Sequence, residues 1–224
     1  MLERSLGDFI LWFVVFLFSL SLHEAAHAWT ANRFGDYTAY YLGRVTLNPA
    51  AHVDLFGTIL FPIFSFFSGV PLIGWAKPVP VNPLHLRETR KHHIVVSLAG
   101  PGSNLLLAGG FLALILLLGT NWEATARALG HFFVPLGKML LIGLILNVAL
   151  AVFNLIPIPP LDGHWVLYHL LPEGAADVLD QIRPLGIFLL YGLMLLGVLR
   201  LVFAPVFWMI TTIRPVTELY LLVH

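Results

Sequence analysis

The stretch Leu22-His23-Glu24-Ala25-Ala26-His27 lies inside the first long apolar run of the chain, and the rest of the fold is interpreted relative to it. No charged residue occurs between Phe9 and Leu22, so the stretch is predicted to lie on a membrane-spanning helix. His23 and His27 are four positions apart, and on a helix they face the same side, about one turn from each other. Two imidazoles in this arrangement can converge on a single metal ion.

Glu24 directly follows the first histidine of this pair. From that position a carboxylate can take a proton from a metal-bound water without binding the metal, so Glu24 is the candidate general base. The same pattern also arises by chance on soluble helices. An ionisable group at the centre of a bilayer costs at least about 2.5 kcal/mol, so three such groups together need a partner or an ion. The membrane setting therefore favours a metal site.

A secretory signal peptide is the alternative interpretation of this N-terminal region. Glu3 and Arg4 precede the apolar run, and Ala26-His27-Ala28 matches an Ala-x-Ala cleavage site. Cleavage there would destroy the motif. The charged tip has no positive excess, and histidine and glutamate stand just before the cleavage site, so the sequence favours an uncleaved helix.

The composition indicates a polytopic membrane protein. Of 224 residues, 58% are hydrophobic and 11% are charged, and the mean hydropathy is +0.87, which together exclude an ordinary soluble domain. Twelve acidic and twelve basic residues give zero net charge, which argues against a nucleic-acid partner. Cysteine is absent, so zinc would be bound by His, Asp or Glu.

No linker or repeat divides the chain, so residues 1–224 are predicted to form one membrane-embedded domain. Its catalytic core covers about 6–170, and accessory C-terminal helices cover about 172–224. The expected fold is all-α, with about five to six transmembrane helices. The clearest crossings are 6–32, 93–119, 133–156 and 184–201.

Three other regions are more ambiguous in the sequence. Residues 205–223 fit either a final crossing or a helix on the membrane surface. Residues 55–75 are apolar but are broken by glycines and prolines, so they fit either a crossing or a re-entrant segment. Residues 38–48 have the aromatic and β-branched content of a short β-hairpin-like region, which would either bind an extended peptide or lie at the surface.

The helix over 133–156 runs into Pro157-Ile158-Pro159-Pro160-Leu161-Asp162-Gly163. The prolines lack backbone donors and force their predecessors out of the α region, so the helix must unwind here. Asp162 on this hinge is either a turn residue or the third ligand that the histidine pair lacks. Two histidines and a carboxylate leave one tetrahedral position of Zn²⁺ for water. We therefore predict one zinc ion per chain, held by His23, His27 and Asp162.

Asp162 can reach the histidines only if the first helix and the helix over 133–156 end on the same side of the membrane. A single full crossing must then lie between them, so residues 55–75 are predicted to be re-entrant. The positive-inside rule assigns the face with most basic residues to the cytoplasm, and the metal site lies toward that face. The residues on it are Arg33, Arg44, Lys77, Arg87, Arg90 and Lys91, against Arg127 and Lys138 on the other side.

These motifs resemble the site-2 protease family of intramembrane zinc metalloproteases. The resemblance is carried by His23-Glu24-x-x-His27, by Asn154 to Gly163 with its final Leu-Asp-Gly, and by Ala99-Gly100-Pro101 with Asn104. It extends over most of residues 20–170. Two further stretches resemble the small bacterial and archaeal members, namely Arg44-Val45-Thr46-Leu47-Asn48-Pro49 and Gly74-Trp75-Ala76-Lys77-Pro78.

The resemblance implies an endopeptidase that cleaves transmembrane segments of other proteins, in the bilayer of a prokaryotic cell membrane. It implies His23, His27 and Asp162 as zinc ligands, Glu24 as the catalytic acid/base, and Asn154 as a residue that positions or stabilises the reacting carbonyl. The loops are too short for the PDZ domain that controls substrate entry in larger members. The natural substrate, its admission and the oligomeric state stay open.

Two other functions are compatible with the same residues. A metal-ion transporter would line its pathway with intramembrane His, Asp and Asn. A proteolytically inactive relative would bind membrane helices without cutting them.

Several further polar residues have open roles. His52 and Asp54 either border the active site or belong to loop structure. Asn147, seven residues before Asn154, is explained equally well by hydrogen bonds between helices and by the site. His164 is interpreted as a neighbour of the site and His93 as part of a basic interface.

Overall fold

The computed structural model describes residues 5–69, 74–198, 200 and 203–223, and all regular structure in these residues is helical. A π-helical turn over Leu55–Leu60 leads directly into α3. The α-helices are α1 (Leu6–Arg33), α2 (Thr38–Tyr41), α3 (Phe61–Ser68), α4 (Thr89–Leu118), α5 (Trp122–Leu129), α6 (Phe133–Asn154), α7 (Asp162–Leu170), α8 (Glu173–Gln181), α9 (Gly186–Leu195), α10 (Ala204–Thr212) and α11 (Arg214–Val223).

The three long helices α1, α4 and α6 pack against one another and form the centre of the molecule. The starts of α1 and α6 are joined by an ion pair between Asp8 and Lys138, whose Oδ1 and Nζ atoms are 2.6 Å apart. At the far end, Asp162 follows α6 and reaches the histidines of α1. Helices α1 and α6 are therefore parallel, as predicted, and α4 runs antiparallel between them.

Three helical stretches of the described residues are long and apolar enough to cross a membrane: Leu6–Arg33, Thr89–Asn154 and Gly174–Leu195. Helices α10 and α11, bent by 89° at their junction, would together make a fourth. The predicted count of five to six crossings is not confirmed. Helices α4 and α6, with 30 and 22 residues, both lie within the second of these stretches.

The apolar stretch Leu55–Ser68 is short, and its start lies beside Trp75. Its six-residue π-helical turn and eight-residue α3 reach only about 21 Å at 1.5 Å per residue, against a hydrocarbon core about 30 Å thick. Trp75 then lies beside the start of the stretch, because its N–H donates to Gly57 O at 3.1 Å and its carbonyl accepts from Thr58 Oγ1 at 2.8 Å. Leu55–Ser68 is therefore too short to cross by itself. Residues 70–73 lie outside the described part, so the re-entrant path of residues 55–75 stays a prediction.

The β-hairpin-like region predicted over residues 38–48 is not observed. Thr38–Tyr41 forms one helical turn, followed by bends. The carboxylate of Asp36 accepts hydrogen bonds from the N–H and hydroxyl of Thr38 at 3.0 and 2.5 Å. This Asx turn directs the chain into a helical turn, although the side chains alone favour a strand. The described residues contain no strand beside this segment with which it could pair, and β propensity depends on such a neighbour.

Residues 74–82, called the strap below, run without helical or strand hydrogen bonding between α3 and α4. The strap is tied to its surroundings at both ends. Lys77 N–H donates to His52 O at 2.8 Å near its start, and Asn82 N–H donates to Asp36 Oδ2 at 2.7 Å at its end. Asp54 caps the π-helical turn by accepting from the N–H groups of residues 56 and 57. His52 and Asp54 thus have roles in loop structure.

Candidate metal centre

His23 and His27 on α1 and Asp162 at the first turn of α7 converge on one point. The two Nε2 atoms are 3.1 Å apart, and Asp162 Oδ2 is 3.2 Å from His23 Nε2 and 3.3 Å from His27 Nε2. Within the described residues, this is the only group of three or more His, Cys, Asp or Glu side chains whose ligand atoms all lie within 4.8 Å of one another. The structure thus brings together the three side chains that the sequence predicts as metal ligands.

The size of this triangle fits a zinc ion. Ligands of tetrahedral zinc lie at about 2.0–2.1 Å, which places any two of them about 3.3–3.4 Å apart. The observed edges of 3.1–3.3 Å are close to that spacing. A zinc ion held by these three atoms would keep one tetrahedral position for water.

The donor chemistry of the three atoms also fits a cation. His27 Nδ1 lies 2.7 Å from Val96 O, which can only accept, so Nδ1 carries the proton and Nε2 of the neutral ring is an acceptor. His23 Nδ1 donates in the same way to Asn104 Oδ1 at 2.6 Å. Asp162 Oδ2 is buried without a hydrogen-bond partner. Three acceptor atoms this close repel one another unless a cation lies between them.

Two glycines make room for this geometry. A Cβ on Gly100 of α4 would lie 2.6 Å from His23 Nε2 and closer still to His27 Nε2, so any larger residue would occupy the metal position. A Cβ on Gly163 would lie 2.7 Å from the carbonyl oxygen of Ile156 and would also collide with Leu155. The second glycine therefore lets the proline hinge fold back and place Asp162 at the histidines.

A buried hydrogen-bond network supports His23 from behind. Asn104 Nδ2 donates to Asn147 Oδ1 at 2.8 Å, and Asn147 Nδ2 donates to Ser19 Oγ at 2.9 Å and Gly143 O at 2.8 Å. Both asparagine side chains are fully buried. Asn147 thus joins helices and, through Asn104, fixes the orientation of the His23 ring.

The three side chains open onto a cavity of about 570 Å³, which Glu24 and Asn154 also line. Glu24 Oε2 accepts a hydrogen bond from the N–H of Val79 at 2.9 Å. Asn154 Nδ2 donates to Leu150 O of its own helix at 2.9 Å. The predicted catalytic residues therefore border the same space as the predicted ligands.

His93 is a residue of this cavity that sequence reasoning missed. Its side chain is buried, and its Nδ1 lies 2.8 Å from His169 Nε2, which ties α4 to α7. A signal was present in the sequence, because polar or small residues at 93, 97, 100 and 104 recur on one face of a helix. His164, also buried, is not part of the ligand group, in agreement with its interpretation as a neighbour.

A buried group of two histidines and a carboxylate, with a glutamate beside the first histidine and apolar helices around it, defines the class of membrane metalloproteases. The model of peptidase family M50 matches residues 11–196. The chain belongs to this family, which is the site-2 protease family, and it is an integral membrane protein.

Several curated proteins are similar to the chain. "Putative zinc metalloprotease YwhC" of Bacillus subtilis (strain 168) is 40% identical over 174 residues, which cover 77% of the chain and 74% of that protein. "Putative zinc metalloprotease Rip2" of Mycolicibacterium smegmatis is 37% identical over 171 residues, and its namesake of Mycobacterium tuberculosis (strain H37Rv) is 36% identical over 173. These alignments cover 75% of the chain but 60% of each mycobacterial protein. No solved structure matches the chain.

Proposed function

We propose that the chain is a zinc-dependent endopeptidase that cleaves transmembrane segments of other membrane proteins inside the bilayer. The observation that carries this proposal is the convergence of His23, His27 and Asp162 at the wall of a cavity that also contains Glu24. The zinc dependence is supported by the triangle of acceptor atoms and by the names of the relatives.

Each residue has a distinct role in this proposal. His23, His27 and Asp162 hold the ion, which supplies a water of lowered pKa and polarises the peptide carbonyl when it is bound. Glu24 takes the proton of the attacking water and returns it to the leaving amine. Asn154 turns its amide from Leu150 O toward the carbonyl oxygen of the substrate and stabilises the charge that develops there.

The substrate is a transmembrane helix, and a helix hides its carbonyls in its own hydrogen bonds. A segment of it must unwind before cleavage, and the strap, which forms one wall of the cavity, is the surface against which the unwound piece lies. The predicted hairpin over 38–48 is not available for this role. In this proposal residues 55–75 are re-entrant, so that the strap reaches the cavity from the membrane side.

The site is proposed to face the cytoplasm of a prokaryotic cell. The ends of α1 and α6 near Asp162 lie on the side of the strap and of the loop before α4, where basic residues concentrate. Those residues are Arg33, Arg44, Lys77, Arg87, Arg90 and Lys91.

A metal-ion transporter is less well supported by the packing. Transport needs a polar path to both faces. Toward the far face, the bundle is filled by a cluster of buried apolar side chains, called the apolar end below, which includes Ala108, Ile115, Leu141, Leu144 and Leu219. Zinc entering lipid vesicles that contain the purified chain would favour transport over proteolysis.

The test of the proposed function uses vesicles that contain the purified chain and a probe. The probe is a single-span polyleucine helix interrupted by an Asn-Gly pair, with a fluorophore and a quencher at its ends. The zinc-loaded chain should cleave the probe, a chelator should stop cleavage, and added zinc should restore it. Glu24→Gln should keep its zinc and lose cleavage by about 100- to 10,000-fold. Cleavage by zinc-loaded Glu24→Gln at the wild-type rate would refute the role of Glu24.

A further inference from the structure

One backbone N–H of the strap donates a hydrogen bond to the side chain of Glu24. The N–H of Val79 donates to Glu24 Oε2 at 2.9 Å, across a separation of 55 residues in the chain. A glutamate side chain on a helix has several rotatable bonds, and α1 by itself leaves the position of its carboxylate undetermined. Val79 and Glu24 are both half-buried at the cavity wall, so the contact lies where the base must act.

The contact belongs to a regular row of three along one edge of the strap. In an extended chain, N–H groups two residues apart point to the same edge. The N–H groups of Trp75, Lys77 and Val79 donate in turn to Gly57 O, His52 O and Glu24 Oε2, at 3.1, 2.8 and 2.9 Å. The Glu24 carboxylate is thus the third acceptor along this edge of the strap, after two backbone carbonyls.

The two prolines beside Val79 restrict the backbone conformation that positions its N–H. Pro78 and Pro80 fix their own φ angles, and each keeps the residue before it extended. Neither proline has an N–H, so Val79 provides the only backbone donor between residues 78 and 80. The strap is also tied on both sides of this point, by Lys77 to His52 and by Asn82 to Asp36.

We propose that the backbone amide of Val79 is a positioning group for Glu24. It holds Oε2, so that Oε1 is the oxygen that takes and returns the proton. The inference rests on the proposed function for the role of the base. It adds that the strap, and not α1 alone, determines the position of the Glu24 carboxylate.

A consequence follows for the substrate. The strap lines the cavity with Gly74, Ala76 and Val79, so a peptide bound there presses on the segment that holds the base. A substrate that fills the cavity therefore contacts the same segment that holds Glu24.

The first test compares two substitutions at one position. Val79→Pro deletes the N–H and keeps an extended backbone, whereas Val79→Ala removes most of the side chain and keeps the N–H. With the labelled polyleucine probe, kcat of Val79→Pro should be about 10- to 100-fold below that of Val79→Ala, with equal KM and equal bound zinc. Equal kcat for the two variants would overturn the inference. Loss of zinc from Val79→Pro would also overturn it, because the effect would then come from the metal site.

The second test requires no cleavage, so it separates failure of the inference from failure of the proposed function. Hydrogen exchange is followed by mass spectrometry on overlapping fragments that differ by residues 78–80, a segment in which Val79 has the only backbone amide. This amide should exchange more slowly in the wild-type chain than in Glu24→Ala. Equal exchange in the two proteins would show that Glu24 does not bind this amide, even if the wild-type chain cleaves the probe.

Discussion

The helix pair α4 and α6 has two ends that are built on different principles. At the apolar end, Ile115, Leu141 and Leu144 are almost completely buried among other hydrocarbon side chains. At the opposite end, called the polar end below, Asn104 and Asn147 are equally buried but hydrogen-bond to each other, to Ser19 and to His23. The change occurs within about one turn of each helix, between Ala108 and Asn104 on α4.

The comparison shows that the apolar end stabilises the bundle by packing, whereas the polar end orients the side chains of the candidate metal site. Apolar side chains at membrane depth pack without polar partners, because surrounding lipid and neighbouring helices are both apolar. Buried amides in the same setting need a complete set of partners, since each unsatisfied group is costly. The polar end contains such amides because Asn104 and Asn147 orient the His23 ring. The following predictions test this division of roles, from the largest expected effect to the smallest.

Asp162→Ala should have the largest effect, because it removes one corner of the acceptor triangle. Zinc affinity and cleavage should each fall by more than about 100-fold. Loss of a residue that only hydrogen-bonds to a metal ligand costs up to about that much. Metal content after dialysis and the rate of probe cleavage measure the two effects. Full zinc binding by this variant would mean that the ion lies elsewhere in the protein.

Gly100→Ala should abolish zinc binding although it adds a single methyl group. The new Cβ would lie within 2.6 Å of His23 Nε2, in the space that the ion needs. Gly102→Ala is the matched control, because a Cβ there meets nothing within 4 Å. Zinc titration of the two variants gives the comparison. Equal affinity for zinc in both would contradict the close approach of α4 to the histidines.

Asn104→Ala should lower zinc affinity or cleavage by about 10- to 100-fold, because His23 Nδ1 loses the partner that sets its ring orientation. Asn147→Ala acts one step further from the ring, through Asn104, and should have a smaller effect. Zinc titration and probe cleavage of both variants rank them. The reverse order would show that the network does not transmit orientation toward His23.

Ile115→Ala tests the apolar end, where the side chain is completely buried. The loss of packing should destabilise the protein by on the order of 2 kcal/mol, as buried Ile→Ala changes do elsewhere. Thermal denaturation in detergent measures the loss, and zinc affinity at low temperature should stay at the wild-type value. A change in zinc affinity would show that the two ends are coupled.

Asp36, which anchors the end of the strap outside the membrane spans, should make stability depend on pH. Burial raises the pKa of its carboxyl, but hydrogen bonds from Thr38, Asn82 and His85 outweigh burial and leave the pKa below its ordinary value. The stabilisation is therefore complete above about pH 4, the pKa of an unfolded aspartate, and is lost as the pH falls through the folded pKa.

Asp36→Asn should thus be less stable than wild type at pH 7 by about 1–2 kcal/mol. The gap should narrow as the pH falls below about 4. Thermal denaturation at pH 7 and at several lower values gives both quantities. A gap that stays constant with pH would show that the charge of Asp36 does not stabilise the fold.

Local sequence patterns predicted a large part of the fold and of the site. Charge-free runs indicated α1, α4 and α6, because a segment of such composition is stable only as a helix in lipid. Helical periodicity placed His23 and His27 on one face. The prolines before Asp162 predicted that the chain unwinds there, because proline cannot continue a helix. The prediction for residues 38–48 was wrong, because the Asx turn at Asp36 leads into a helical turn although the side chains favour a strand.

The sequence by itself therefore determined which side chains could bind a metal and act as a base, because those patterns depend on residues within a turn or two of one another. Only the tertiary structure decided that Gly100 leaves space at the two histidines, that Asn104 orients His23 and that Val79 holds Glu24. These contacts join residues 55 or more positions apart. Periodicity within one helix contains no information about how another segment packs against it. These long-range contacts could therefore be identified only from the tertiary structure.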